Sequence, residues 1–195
     1  MMKIRETTLA ITLTLTLLSG IGHAQEHDHS KMNMMKKKGT SEVVKYQVDK
    51  AFTEQLSAVF KTDLKLNQFF FSEDAVQVAA AAKEVSDELK KVDMMLLEGD
   101  AHMAWMSYLK SIKIGLNEIT GAATILEQRE AFDHYNQALF TAFKAYGTDL
   151  KVFLIHCPMA NENKGGVWLS ERNEIHNPYL GNKMPTCGMV KETIN

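Results

Sequence analysis

The 195-residue chain is short of several things. It has 2 Cys and 3 Pro, a formal net charge of only −2, and 8% aromatic residues. So few Cys exclude a cysteine-dense scaffold, and so few Pro beside 11 Gly exclude a collagenous or low-complexity chain. The near-balanced charge offers nothing that nucleic acid would select. Only Leu9 to Leu18, broken by Thr, is a sustained apolar run, and it is too short for a permanent membrane span. What is present, 45% hydrophobic and 24% charged residues, suits one globular domain that buries its own core. One residue type is abundant: there are 12 Met.

The start reads as an address. Met1-Met2-Lys3-Ile4-Arg5 is basic, the apolar run follows, and Gly22 and Ala24 are the small residues a signal peptidase inspects. Residues 1–24 are expected to be a secretory signal peptide cleaved after Ala24, which places the protein in the periplasm. Thiols in that oxidising compartment need an explanation.

Residues 25–43 are polar and poor in core formers, as expected of a disordered arm. The arm carries His27, His29, Met32, Met34 and Met35, which are the borderline and soft donors that copper accepts. Cleavage after Ala24 would give Gln25 a free amine. That amine, two deprotonated amides and the His27 imidazole make a planar four-nitrogen set suited to Cu(II) or Ni(II). Lys36-Lys37-Lys38 is a solvated charge run.

From Val48 to Gly147 the apolar spacing is helical. Phe52, Leu56, Val59 and Phe60 mark a first helix. Ser72 is the expected N-cap of a second, whose stripe runs Val78, Ala82, Val85, Leu89, Val92 and Leu96. Asp100 is the expected cap of a third, with Trp105, Leu109, Ile112, Leu116 and Ile119 inside and Gly121 at its end. Thr124 and Glu127 form a capping box for a fourth, which Gly147 stops. The fold class expected is mainly α: an antiparallel four-helix bundle with a small C-terminal loop-and-strand cap, together spanning 44–195. Glu98/His102 and Glu130/His134 are spaced by four and no Glu-x-x-His occurs between Val48 and Gly147, so a di-iron carboxylate centre in the helices is not expected. Met94, Met95, Met103 and Met106 read first as core filler and second as a thioether cluster beside His102.

The chemistry concentrates after Gly147. Lys151 to Ile155 reads as a strand. His156-Cys157-Pro158-Met159-Ala160 follows, then Gly166-Val167-Trp168-Leu169-Ser170, Asn177-Pro178-Tyr179-Leu180-Gly181, and Met184-Pro185-Thr186-Cys187-Gly188-Met189. Two readings stand side by side. One is a structural disulfide between Cys157 and Cys187. The other is a Cu(I) or Ag(I) site of Cys157, Cys187, Met159 and Met184 with His156 beside them, since soft d¹⁰ ions favour thiolate and thioether. One site can also serve as both, oxidised when empty and loaded when reduced. Trp168 reads as a hydrophobic anchor rather than a cation–π lid, and Tyr179 as an inward-facing turn residue. Ser170 lacks a nucleophile elbow, and the two Cys are not a Cys-x-x-Cys pair, so no enzyme is expected.

The run HCPMA, Gly-x-Trp-Leu-Ser, NPY-x-G-x-x-M and CG, with Ala104-Trp105-Met106-Ser107-Tyr108-Leu109 and Gln128-Arg129-Glu130-Ala131-Phe132 before it, resembles a periplasmic domain of unknown function. That domain occurs alone or fused to the C-terminus of Cus-type heavy-metal efflux adaptors, the membrane-fusion subunits of copper and silver export pumps. The resemblance covers about Val44 to Asn195. It implies a helical bundle, a part in heavy-metal handling, and an efflux adaptor or periplasmic metal donor as partner. It carries over no catalytic residue. Gly166-Val167-Trp168 departs from the family's frequent Gly-Ala-Trp, and Pro185 stiffens the loop before Cys187. The function expected is sequestration or transfer of Cu(I)/Ag(I), with Cu(II) held by the arm. The rival is a disulfide-stapled docking module that binds no metal.

Overall fold

The computed structural model describes residues 42–194, which belong to one compact unit. The segment expected to be a signal peptide and residues 25–41 of the expected arm, with His27 and His29, lie outside the described residues, whereas Val43 at the arm's expected end packs against the core. The chain is mainly helical: α1 (Lys50–Phe71), α2 (Ala75–Leu89), a 3₁₀ turn (Met94–Leu96), α3 (Gly99–Gly121) and α4 (Ile125–Tyr146) come first. The strands β1 (Val152–Cys157), β2 (Gly166–Ser170) and β3 (Met189–Ile194) follow. None of these helices is long and apolar enough to cross a membrane.

Each long helix buries the stripe its sequence spells. Phe52, Leu56, Val59 and Phe60 of α1 are fully buried, as are Val78, Ala82 and Val85 of α2, Ile112 and Ile119 of α3, and Phe132, Leu139 and Phe143 of α4. α1 packs along α2, α2 along α3, and α3 along α4. α3 and α4 approach closely at Gly115, where an added Cβ would lie 2.8 Å from the Tyr135 Cβ. Side chains there would force α3 and α4 apart.

Three helix boundaries differ from expectation. Ser72 is the C-cap of α1, because α1 runs on through Phe71 with Phe70 buried against Phe132. The N-cap of α2 is Asp74, whose carboxylate accepts the N–H of Val76 and Gln77. The stripe from Val78 to Leu96 is not one helix. α2 ends at Leu89, and Asp93 then caps the 3₁₀ turn by accepting the Met95 N–H, so Val92 reaches the core from a loop. Asp100 sits in the first turn of α3, and Glu98 holds the cap position without a side-chain bond. The Thr124–Glu127 capping box and the positive φ of Gly147 (80°) are as expected.

Two aromatic groups mark the core. Phe52, Trp105, Tyr108 and Tyr146 meet edge to face, and Tyr46 stacks on Tyr146 with its backbone N–H donating to Ala145 O at 2.7 Å. Phe70, Phe132, Tyr135, Tyr179 and Trp168 form the other, which joins the helices to the sheet. The sheet is antiparallel in the order β2-β1-β3. β2 lies against α4 and touches α1.

Candidate functional site

The sulfur-rich cap is built around a disulfide. β1 carries Cys157 at its end, fully buried, and Cys187 precedes β3. The two are bonded with their Cα atoms 5.8 Å apart. Of the two sequence readings, the disulfide is the state present here, and among the described residues there is no free cysteine.

Buried polar side chains hold the loop that carries Cys187. Asn177 is fully buried; its Nδ2 donates to Cys187 O at 2.7 Å, and its Oδ1 accepts the N–H of Tyr179 and Leu180. Its backbone N–H donates to Pro185 O. Tyr179 points inward, as expected, and its OH donates to Val167 O at 2.6 Å. Burial, then the nearby Asp133 carboxylate, raises that phenol well above its ordinary pKa, so it stays a donor. Asp133 of α4 accepts the Val167 N–H. Arg129 of α4 clamps the loop: Nε donates to Pro178 O, and one terminal nitrogen donates to Phe70 O and pairs with Glu73 at 3.0 Å. Trp168 is the expected anchor, buried and tilted against Tyr179.

The remaining candidate donors divide by position. Pleating puts His156 and Cys157 on opposite faces of β1, so the imidazole does not share the disulfide's face. His156 pairs across the ladder with Met189 of β3, which puts an imidazole and a thioether on one face. Met189 is not among the donors expected from the sequence. Its partner depends on the β1–β3 register, which spacing alone does not reveal. Met159 is 44% exposed and Met184 39% exposed. Met184 reaches the disulfide through its backbone, its O accepting the Cys187 N–H. After Met159 the chain turns through Asn161, Glu162 and Asn163, all with positive φ, and Asn161 Nδ2 closes the turn on Gly165 O. Three non-glycine residues in a row in the left-handed region are strained. Among the described residues, no group of three or more His, Cys, Asp or Glu side chains converges as metal ligands.

The methionines of the helical part are not core filler. Met94, Met95, Met103 and Met106 are 36, 82, 69 and 43% exposed, so the first expectation for them is overturned. The reason is register: Trp105 and Leu109 take the buried stripe of α3, which leaves Met103 and Met106 outside it. His134 is exposed, and His102 is half-buried at the start of α3.

One buried acid was missed. Asp63 of α1 is fully buried and accepts from Tyr135 OH at 2.9 Å and Asn67 Nδ2 at 3.1 Å. Burial, with no cation beside it, pushes its pKa up to about 7. The only signal for it in the sequence was a charged residue in step with the apolar stripe of α1.

No curated protein matches the chain, and no solved structure matches it either. One family model does match. The matched segment takes in most of α1 and all of α2, α3 and α4 and stops short of β1, so the disulfide cap lies beyond it. Residues 59–151 match the model of the family described as "Protein of unknown function (DUF3347)".

Proposed function

We propose that this is an exported, periplasmic protein that binds Cu(I) or Ag(I) through surface thioethers and sequesters the ion or passes it on. The observation that carries this reading is that all seven methionines of residues 42–194 are exposed, from 36 to 82%. Met is ordinarily a core residue, and a surface that collects it offers soft donors without thiolates. His156 beside Met189 supplies a mixed donor pair, and Met159 and Met184 lie near the two ends of the disulfide. With Cys157 and Cys187 bonded, their sulfurs join the ligand set only after reduction. The His27/His29 arm would capture Cu(II) or feed the thioethers, and an efflux adaptor or a periplasmic donor is the partner that exchange requires. The short turns between the long helices suit an antiparallel four-helix bundle as the support.

Disulfide-intact protein titrated with Ag(I) against a weak chelator is expected to retain at least one ion. Replacing the seven methionines with Leu keeps the volume and should lower retention to what the arm's His27, His29, Met32, Met34 and Met35 hold. If native protein yields all its silver to the chelator, both oxidised and thiol-reduced, the metal reading fails. The buried disulfide favours a second reading, a stapled module that docks on an envelope partner. That reading gains if reduction loosens the cap but creates no metal affinity.

A further inference from the structure

His102, Met103 and Met106 stand together near the start of α3. At 3.6 residues per turn, Met106 falls between the other two, one turn above them, and all three share a sector of about 100°. Helix neighbours three and four apart have Cβ atoms about 5–6 Å from each other, and Met106 has one of each, Met103 and His102. The rotamers a helix permits carry a long side chain back towards the N-terminus, over the residues three and four before it. The Met106 thioether is thereby brought to the imidazole and to the other thioether. The buried stripe of Trp105 and Leu109 borders this sector. His102 is half-buried at that border, Met106 is 43% exposed and Met103 69% exposed. The donor set therefore starts at the rim of the core and opens to solvent, where an ion can enter.

The chemistry of the three donors narrows the choice of ion. Two thioethers and an imidazole are neutral, two of them soft and one borderline, which suits a monovalent coinage ion. A harder divalent ion would need His, Cys, Asp or Glu in threes, and among the described residues no such group converges. The positive end of the helix dipole is close by and disfavours a cation, but the exposed acids Glu98 and Asp100 at that end offset it. Lys110, one turn beyond Met106, is exposed, so its ammonium can stay in water. The cap offers less, since His156 has a single thioether, Met189, across the ladder. We infer that His102, Met103 and Met106 form a three-donor site for Cu(I) or Ag(I), and that this site fills before the other thioethers of residues 42–194. The inference rests on the metal reading above and adds where the ion sits and what holds it.

The probe is Ag(I), titrated into the disulfide-intact protein with ¹³C-labelled methionine methyls, each assigned by its Met→Leu variant. The Met103 and Met106 methyl resonances and the His102 ring resonances should shift together, ahead of those of Met95, Met159 and Met184, and saturate at one ion. Zn(II) should leave them in place. Met106→Leu, on an exposed side chain, should weaken that ion about ten-fold, equivalent to about 1.4 kcal/mol, with an unchanged melting temperature. Met95→Leu should leave the ion's affinity as it is. The site is overturned, with the wider metal reading intact, if other methionines shift while Met103, Met106 and His102 do not, if Zn(II) shifts these three equally, or if Met106→Leu binds as the native protein does. If no methionine shifts and a weak chelator takes all the silver, the metal reading fails and this site fails with it.

Discussion

From Lys50 to Tyr146 the protein is held by apolar residues that meet at helical intervals, whereas from Val152 onward it is held by a disulfide and by buried polar side chains reaching across from distant positions. Phe52 and Leu56 need only a partner surface, and any well-packed apolar neighbour serves. Asn177 needs Cys187 O, Tyr179 N and Leu180 N, each in one place. Apolar packing is tolerant and hydrogen bonds are not, so the two regions should fail differently. The difference also gives the motifs of the cap a structural meaning. Trp168, Asn177, Tyr179 and both Cys build it, while Met159 and Met184 of the same motifs stand out in solvent.

Four changes break or sharpen that contrast. Phe52→Ala removes a fully buried ring from an aromatic group and should cost about 3–5 kcal/mol, lowering the denaturant midpoint of the whole domain. Cys157→Ser with Cys187→Ser should cost roughly 3–4 kcal/mol in the chain-entropy model. Its mark should be local, with faster proteolysis after Tyr146 while the far-ultraviolet helical signal persists. Arg129→Leu strands Pro178 O and removes the partner of Glu73, and should cost about 1–3 kcal/mol, seen as faster hydrogen exchange around Asn177.

The smallest effect concerns pH. Asp63 has a folded pKa of about 7, above its ordinary value, so the folded state holds the proton more tightly than the unfolded state. Its contribution is full below the ordinary carboxylate range and is lost as pH rises towards 7. The melting temperature should therefore fall between pH 5 and pH 8 by about a few degrees. Asp63→Asn keeps the hydrogen bond from Tyr135 and should flatten that slope. A slope unchanged in the variant would remove Asp63 as its source.

The sequence made the body legible and left much of the cap hidden. Stripes such as Phe52-Leu56-Val59-Phe60 repeat within one helix, so a single chain displays them. The cap boundary at Ser72 was misplaced because Ser72 and Asp74 both suit an N-cap, and only the burial of Phe70 shows that α1 continues past it. Trp168 and Tyr179 were legible as inward anchors because large aromatics have few other places to go. Arg129 was not, since its partners Pro178 and Phe70 are 49 and 59 residues away. The pairing of Cys157 with Cys187 stayed open because a disulfide and a dithiolate ask for the same spacing. Exposure of Met103 and Met106 depended on which side of α3 faced its neighbours, a matter of tertiary packing.

The position of the disulfide also sets how the domain would respond to being pulled. β1 leaves the helices at Val152, which pairs with Ile194, and the cross-link closes the far end of the same ladder at Cys157. Tension between Ile194 and the helices would open the β1–β3 rungs one at a time, starting at Val152. It would then meet a covalent stop, and the 30-residue loop beyond would not lengthen. At about 3.5 Å per residue, that keeps on the order of 100 Å of chain out of reach of the load. A tug on this end would first be relieved by the opening of one short zipper.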